Sequence, residues 1–126
     1  RTVLSLRETN APPGIIAAEE DVCRRTGARL VNLPMPGDGR GDFEMFDSAL
    51  RILSDPGSLP ALVHCARGSY RTGAVIALYR ILVEGVPEED AFAEMRRYRF
   101  RENPEKPLYP YLRQYLKSRS AEAQEP

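Results

Sequence analysis

The segment ALVHC at positions 61–65 constrains the fold of this 126-residue chain more than any other. It is apolar apart from its histidine, which is typical of a strand buried on both faces of a parallel sheet. A short loop over 66–70 follows, and a helical pattern then begins at Arg71. The sequence therefore predicts a strand–loop–helix unit, with the loop at the carboxyl end of a buried strand.

Further strands and helices are predicted around this unit. β-branched and apolar residues predict strands over 2–6 and 28–34. Apolar residues at helical spacing, with glycine, proline or acidic residues near the ends, predict helices over 15–27, 43–53, 71–85, 87–98 and 107–117. Since strands alternate with helices, the predicted fold class is α/β, with three layers and a central, mostly parallel sheet flanked by helices.

The predicted helices differ in how their apolar residues are arranged. The helix 15–27 has Ile15, Ala18 and Val22 at helical spacing, and Gly27 is its expected C-terminal stop. The helix 71–85 is apolar on nearly all sides and is therefore expected at the centre of the fold. The helix 43–53 has a clear apolar face and is preceded by an aspartate that we expect to cap it; these residues are Phe43, Phe46, Leu50 and Leu53, with Asp42 before them.

Length and composition indicate one soluble globular domain. Hydrophobic residues make up 42% and charged residues 29%, and the formal net charge of zero gives no global attraction to nucleic acid. No apolar run approaches the ~18 residues that cross a bilayer. We expect a single domain over 1–118 and a polar tail over 119–126, in a cytoplasmic and monomeric protein. Because the sequence starts at Arg1, we expect its N-terminus to be truncated or processed, so that a targeting signal would not be visible.

The chain contains two cysteines and one histidine. Two cysteines are too few for a disulfide framework. Together with His64, they supply three soft ligands, fewer than a closed structural zinc site requires, so we expect no metal and no other cofactor. Cys23 falls inside a helical pattern, and we interpret it as a core residue, with a redox partner of Cys65 as the alternative.

The loop after Cys65 has the features of a phosphate-binding site. Amide groups at a helix start lack partners within the helix and carry partial positive charge, which suits a phosphate. Gly68 gives the loop conformational freedom, and the Arg71 guanidinium can bind two phosphate oxygens at once. The same positive field favours Cys65 as a thiolate placed for attack on phosphorus, through a cysteinyl-phosphate. The predicted phosphate-binding residues are Ala66, Arg67, Gly68, Ser69, Tyr70 and Arg71.

The sequence HCARGSYRT at 64–72 resembles the signature of the protein tyrosine phosphatase superfamily, which is His-Cys, five residues, Arg, then Ser or Thr. At this length the chain is most similar to the small dual-specificity branch, particularly its atypical bacterial members. The resemblance implies that Cys65 is the nucleophile and that Arg71 binds phosphate and stabilises the transition state. It also implies that Thr72 donates a hydrogen bond to the sulfur and that His64 holds the cysteine loop in a supporting role.

The family also uses an aspartate that protonates the leaving oxygen and then activates water, and the segment PGDGRGD at 36–42 supplies two candidates. Asp38 lies among glycines in the middle of the loop, where it could swing over the site. Asp42 is better explained as the N-cap of the next helix. We therefore predict Asp38 as the general acid, with Asp42 as the alternative.

The substrate is predicted only by class. A phosphorylated protein, carrying phosphotyrosine and also phosphoserine or phosphothreonine, is the first expectation, and a small phosphorylated molecule is the second. Inositol phosphate, inositol pyrophosphate or phospholipid phosphatases on the same fold are alternatives, as is a rhodanese-like sulfur carrier. The basic run RRYRFR at 96–101 is interpreted as a solvated helix end, with a substrate-attracting rim as the alternative. Tyr70 is expected at the rim of the site.

Overall fold

The computed structural model describes residues 1–8, 13–65, 70–98, 100–102, 104–105 and 107–124. Within them the chain forms the strands β1 (Thr2–Ser5), β2 (Arg29–Asn32) and β3 (Ala61–His64). The helices are α1 (Pro13–Thr26), α2 (Phe43–Ser54), α3 (Arg71–Leu82), α4 (Glu88–Arg97) and α5 (Leu108–Gln124), with a short 3-10 helix at Pro56–Ser58. None of the described helices is long and apolar enough to cross a membrane.

Every predicted strand and helix is present, and two features were not predicted. The short 3-10 helix lies in the segment DPGSLP, between α2 and β3. Helix α5 continues to Gln124, so the predicted domain boundary at 118 lies inside a helix.

The sheet is parallel, with the strand order β2-β1-β3. The central strand β1 pairs with both neighbours in register, so that Ser5 lies opposite Asn32 on one side and opposite His64 on the other. Backbone hydrogen bonds extend this pairing one residue further, because the Leu6 amide donates to the His64 carbonyl at 2.8 Å. All three strands therefore end at one edge of the sheet, which is the edge where ligands bind in folds of this class.

The two faces of the sheet are covered differently. Leu4 is fully buried and packs in the main core, together with Val63 of β3 and with α2, α3, α4 and α5. Side chains alternate along a strand, so Leu62 and His64 point to the opposite face. There the His64 imidazole contacts the Glu19 carboxylate, which places α1 on that face. The α/β fold with helices on both faces of a parallel sheet is confirmed.

The prediction that β3 is buried on both faces is wrong. The side of β3 away from the core leaves Leu62 60% exposed. Strand β3 pairs only with β1 among the described strands, so it lies at an edge of the sheet. The apolar sequence of β3 therefore does not mean that both of its faces are buried. Val63 packs against the core on one face, whereas Leu62 is exposed on the other.

The apolar residues at helical spacing in α1 do not form its buried face. Ile15 is 44% exposed and Val22 is 48% exposed. The face of α1 that meets the sheet instead carries Glu19 and Cys23, which are one helical turn apart. The interpretation of Cys23 as a buried residue is confirmed, since it is 5% exposed, although it lies outside the main core cluster.

Helix α3 lies at the centre of the helical layer, as its all-round apolar sequence predicts, and packs against α2, α4 and α5. Helix α2 buries the predicted face through Phe46, Leu50 and Leu53. Its remaining side contacts α5, where the Tyr115 hydroxyl donates to the Asp47 carboxylate at 2.5 Å. These contacts fix the start of α3 against the edge where the strands end.

We expect Leu4→Ala to lower the free energy of unfolding by about 2–5 kcal/mol, because it removes a fully buried side chain from the central strand. The matched control is Leu62→Ala, on the neighbouring strand but largely exposed, with an expected loss below about 1 kcal/mol. Urea denaturation of both variants provides the measurement. Equal losses would contradict the assignment of the main core to the Leu4 face of the sheet.

Candidate active site

The strand ends and the start of α3 bring Cys65, Arg71 and Thr72 to the same edge of the sheet. Cys65 directly follows β3 and is 7% exposed, and α3 begins at Arg71. The Thr72 hydroxyl donates a hydrogen bond to the Cys65 sulfur at 3.0 Å. Thr72, which follows Cys65 by seven residues, therefore lies beside the end of β3. A hydrogen bond donated to sulfur favours the charged thiolate, which is the nucleophilic form of cysteine.

Arg71 lies across the same edge of the sheet. Its guanidinium nitrogen Nη1 is 3.4 Å from the carbonyl oxygen of Leu6, just beyond β1. The same nitrogen is 3.5 Å from the carbonyl oxygen of Met35, three residues beyond β2. The charge of Arg71 is therefore placed beside the strand ends and close to Cys65, and a guanidinium offers five N–H donors in a planar arrangement that suits an anion.

His64 points to the face opposite the core and contacts the carboxylate of Glu19. This contact joins α1 to the residue that precedes the cysteine. The predicted role of His64 in holding the cysteine loop remains a prediction, because Ala66, Arg67, Gly68 and Ser69 lie outside the described residues. Glu19 was not identified from the sequence, where nothing distinguishes it from its neighbour Glu20.

Tyr70 is the last residue of the predicted phosphate-binding loop. Its hydroxyl donates to the Arg101 carbonyl at 3.0 Å, and its ring lies 5.1 Å from the Phe100 ring in an edge-on arrangement. The Arg101 guanidinium in turn donates to the Phe100 carbonyl at 2.9 Å. The end of the basic run 96–101 therefore packs against the cysteine loop through Tyr70.

The loop 36–42, which carries both candidate acids, lies against the same residue. Gly39 is buried and has a φ of 83°, and a Cβ at this position would be 2.8 Å from the Tyr70 carbonyl oxygen and 3.1 Å from a Leu108 methyl carbon. Only glycine fits both this backbone angle and this close approach. Asp38, the neighbouring residue, is thereby placed beside the start of α3. Its carboxylate accepts a hydrogen bond from the Arg40 amide at 3.0 Å.

Asp42 occupies the N-cap position of α2, as predicted, but the expectation that its side chain caps the helix is wrong. The side chain makes no cap hydrogen bond. The backbone carbonyl of Asp42 instead accepts from the amides of Met45 and Phe46 at 2.9 and 3.2 Å. The Asp42 side chain is exposed, whereas that of Asp38 is partly buried.

Tyr111 of α5 also contacts the loop 36–42 and was not identified from the sequence. Its hydroxyl donates to the Gly41 carbonyl at 2.6 Å, and the Arg40 guanidinium carbon lies 4.9 Å from the centre of its ring. Burial raises the pKa of the Tyr111 phenol, the charge of Asp42 adds to this, and Arg40 opposes it. The phenol therefore stays protonated and remains a hydrogen-bond donor.

A cavity of about 260 Å³ lies between α3 and α4 beside these residues. Thr72 lines it together with Ile76, Met95 and Tyr98. Thr72 therefore lines this mainly apolar cavity and also contacts the Cys65 sulfur.

Comparison with known proteins identifies the family. The family described as "DSP-PTPase phosphatase fused to NAD+ Kinase" matches residues 1–107, which include every predicted site residue. This chain belongs to that family. The resemblance to small dual-specificity phosphatases, inferred from the motif at 64–72, is confirmed.

Relatives of known name agree with this assignment. The chain is 36% identical over 69 residues to the dual specificity protein phosphatase TpbA of Pseudomonas aeruginosa, a match that covers 55% of this chain and 32% of that protein. A structure of a P. aeruginosa TpbA variant in complex with pTyr superposes with a TM-score of 0.60 at 29% identity, covering 76% of this chain and 54% of that one.

The core catalytic domain of the PP-IP phosphatase SIW14 from S. cerevisiae, in complex with citrate, superposes with a TM-score of 0.73 at 26% identity. This match covers 90% of the present chain and 66% of that domain. The sequence match therefore covers about a third of TpbA, and the superposition covers just under two thirds of the SIW14 catalytic domain.

We expect Gly39→Ala to destabilise the fold more than Gly85→Ala. Both glycines have a positive φ, of 83° and 72°, so both substitutions place alanine in a backbone region that costs about 1–2 kcal/mol. Only the Gly39 methyl meets other atoms, since nothing lies within 4 Å of the corresponding position at Gly85. Denaturant midpoints of the two variants measure the difference. Equal losses would mean that the loop 36–42 does not lie against the Tyr70 backbone.

Proposed function

We propose that this chain hydrolyses phosphomonoesters through a cysteinyl-phosphate formed on Cys65. The observation that carries the proposal is the hydrogen bond of 3.0 Å from the Thr72 hydroxyl to the Cys65 sulfur. The Arg71 guanidinium lies at the same edge of the sheet. A thiolate supported by a donor, next to a fixed positive charge at a helix start, is the arrangement that attack on a bound phosphate requires.

The substrate oxyanion is held, in this proposal, by Arg71 and by the amide groups of the loop 66–70 at the start of α3. Arg71 makes paired contacts to two phosphate oxygens and retains them as charge develops in the transition state. The amide groups of the loop are proposed as further N–H donors to the phosphate oxygens. Neither contribution requires a metal ion.

The reaction proceeds in two displacements. The Cys65 thiolate attacks phosphorus, the S–P bond forms, and the bond from phosphorus to the leaving oxygen breaks as Asp38 gives that oxygen a proton. Water then attacks the cysteinyl-phosphate, Asp38 takes a proton from it, and the S–P bond breaks to release inorganic phosphate. The Thr72 hydroxyl stabilises the departing thiolate. Each step conserves charge, and the two steps together return the enzyme to its starting state.

Asp38 is the better of the two candidate acids. It is partly buried and adjacent to Gly39, whose backbone lies against the Tyr70 carbonyl. Asp42 is exposed and lies at the start of α2. A general acid must reach the leaving oxygen above the thiolate, which favours the residue nearer the cysteine loop.

Phosphorylated proteins are the proposed substrates, with phosphotyrosine first and phosphoserine or phosphothreonine as further targets. The relation to the dual specificity protein phosphatase TpbA supports this, as does the likeness to the TpbA structure in complex with pTyr. The rhodanese-like alternative is disfavoured by the family match over 1–107.

A second candidate substrate is an inositol pyrophosphate. The structure of the PP-IP phosphatase SIW14 covers 90% of this chain, and its TM-score of 0.73 exceeds the 0.60 of TpbA with pTyr. Turnover of phosphotyrosine and phosphoserine peptides, phosphoinositides, inositol phosphates and inositol pyrophosphates, measured side by side, separates the two classes. A preference of tenfold or more in kcat/KM for an inositol pyrophosphate over the phosphopeptides would assign the chain to the second.

We expect Cys65→Ser to abolish turnover of an aryl phosphate while inorganic phosphate still binds as a competitive ligand. Serine is not ionised at neutral pH, but the arginine and the loop amides remain. Steady-state assays and phosphate titration followed by calorimetry test both halves. Residual activity above about one per cent of the parent would exclude Cys65 as the nucleophile.

We expect Asp38→Asn to lower kcat/KM on phosphotyrosine by about 10²–10⁴-fold and on an activated aryl phosphate far less, since a very acidic phenol leaves without a proton. The basic limb of the pH profile should flatten in the same variant. Asp42→Asn is the matched control and should show neither effect. The reverse pattern would make Asp42 the acid, and an absence of selectivity in both variants would place the acid outside the loop 36–42.

A further inference from the structure

We propose that Tyr111 of α5 is a positioning residue for the reaction, holding the loop 36–42 so that Asp38 is already placed for proton transfer before substrate binds. This inference rests on the proposed function, because it assigns Asp38 as the general acid. Tyr111 does not contact the reacting atoms in this proposal. It acts through the backbone that carries Asp38.

Tyr111 contacts two consecutive residues of the loop. Its hydroxyl donates to the Gly41 carbonyl at 2.6 Å, which is a short and therefore well-formed hydrogen bond. Its ring faces the Arg40 guanidinium, whose central carbon lies 4.9 Å from the ring centre. A cation in this position is attracted to an aromatic face. One side chain thus holds both the backbone and a side chain of the loop.

The connection to Asp38 passes through Arg40. The Arg40 amide donates to the Asp38 carboxylate at 3.0 Å. Arg40 is in turn held by the Tyr111 ring. A change in the position of Arg40 therefore moves a hydrogen-bond donor of the proposed acid, and Asp38 depends on Tyr111 although the two side chains are far apart in sequence.

The other side of the loop is fixed by close packing. The Gly39 backbone lies against the Tyr70 carbonyl and Leu108, so there is no space for a side chain. A Cβ at Gly41 would be 2.8 Å from the Met35 side chain. The loop therefore contacts the start of α3 and the first turns of α5, and Tyr111 holds its second half. These contacts favour a loop that is held in place over one that swings.

Tyr111 itself is well supported. Its ring packs against Phe43 at 5.5 Å and against Phe46 at 6.2 Å between ring centres. Because burial raises the pKa of its phenol, the hydroxyl donates throughout the neutral range in which the reaction is assayed. The Tyr111 ring is therefore held in place, and its hydroxyl keeps the proton that it donates to the Gly41 carbonyl.

The test compares Tyr111→Phe with the parent on phosphotyrosine and on an activated aryl phosphate. Loss of one hydrogen bond to the loop should lower kcat/KM on phosphotyrosine by about 3- to 10-fold, and on the activated substrate by less than about 2-fold. A merely structural defect would lower both equally.

Tyr115→Phe is the matched control. It removes a phenol hydroxyl from the same helix, one turn further on, whose ring packs against the same two phenylalanines but whose hydrogen bond goes to Asp47. This variant should lose stability and show no selectivity between the two substrates. A selective loss in Tyr115→Phe equal to that in Tyr111→Phe would overturn the inference.

The double variant Tyr111→Phe with Asp38→Asn separates this inference from the proposed function. If Tyr111 acts through Asp38, the double variant should show no more selectivity between the substrates than Asp38→Asn alone. The positioning role is overturned if the selective losses on phosphotyrosine add in the double variant. It is also overturned if Asp38→Asn shows a selective loss and Tyr111→Phe does not. Either outcome leaves the proposed function intact. No selectivity in Asp38→Asn overturns the acid assignment and this inference with it, whereas retained turnover in Cys65→Ser overturns the proposed mechanism itself.

Discussion

The in-register parallel pairing of β1 with β2 and β3 is the constraint on which the rest of the structure depends. Because all three strands end together, Leu6, Met35 and Cys65 leave the sheet at the same edge. The two carbonyls next to the Arg71 guanidinium belong to the first two of these residues. The sulfur that accepts from Thr72 belongs to the third. A shift of one residue in the pairing of β1 with β3 would separate the sulfur from the other groups, since it would turn the side chains of β3 and Cys65 to the opposite faces.

A second consequence of this arrangement is the position of the loop 36–42. The loop leaves β2 at the same edge and is then held between the start of α3 and α5, through Gly39 and Tyr111. Groups that act in concert need fixed relative positions, because a displacement of about 1 Å lowers the rate of an enzyme strongly. The packing of a glycine against a carbonyl supplies such a fixed position without any specific side-chain contact.

The correction to β3 has a structural cause. The apolar sequence of β3 was interpreted as burial on both faces, whereas Leu62 is largely exposed. Helix α1 turns Glu19 and Cys23 towards the sheet and leaves Ile15 and Val22 exposed. Both segments belong to the face of the sheet that carries less of the core. Periodicity indicates which residues share a side of an element, but not which side the rest of the chain covers.

The sequence by itself determined the elements and indicated the proposed reacting groups. The strand at 61–65, the helix from Arg71, the proposed nucleophile and the proposed phosphate-binding arginine follow from local patterns, since strand periodicity and the charge of a helix start depend on neighbouring residues alone. Only the tertiary structure decided that His64 contacts Glu19 and that Tyr111 holds Gly41, a residue 70 positions away. It also placed Gly39, the residue after Asp38, against the Tyr70 backbone. Such contacts join residues that are distant along the chain, so no pattern in the sequence records them; the packing of α1 and α5 against the sheet and its loops creates them.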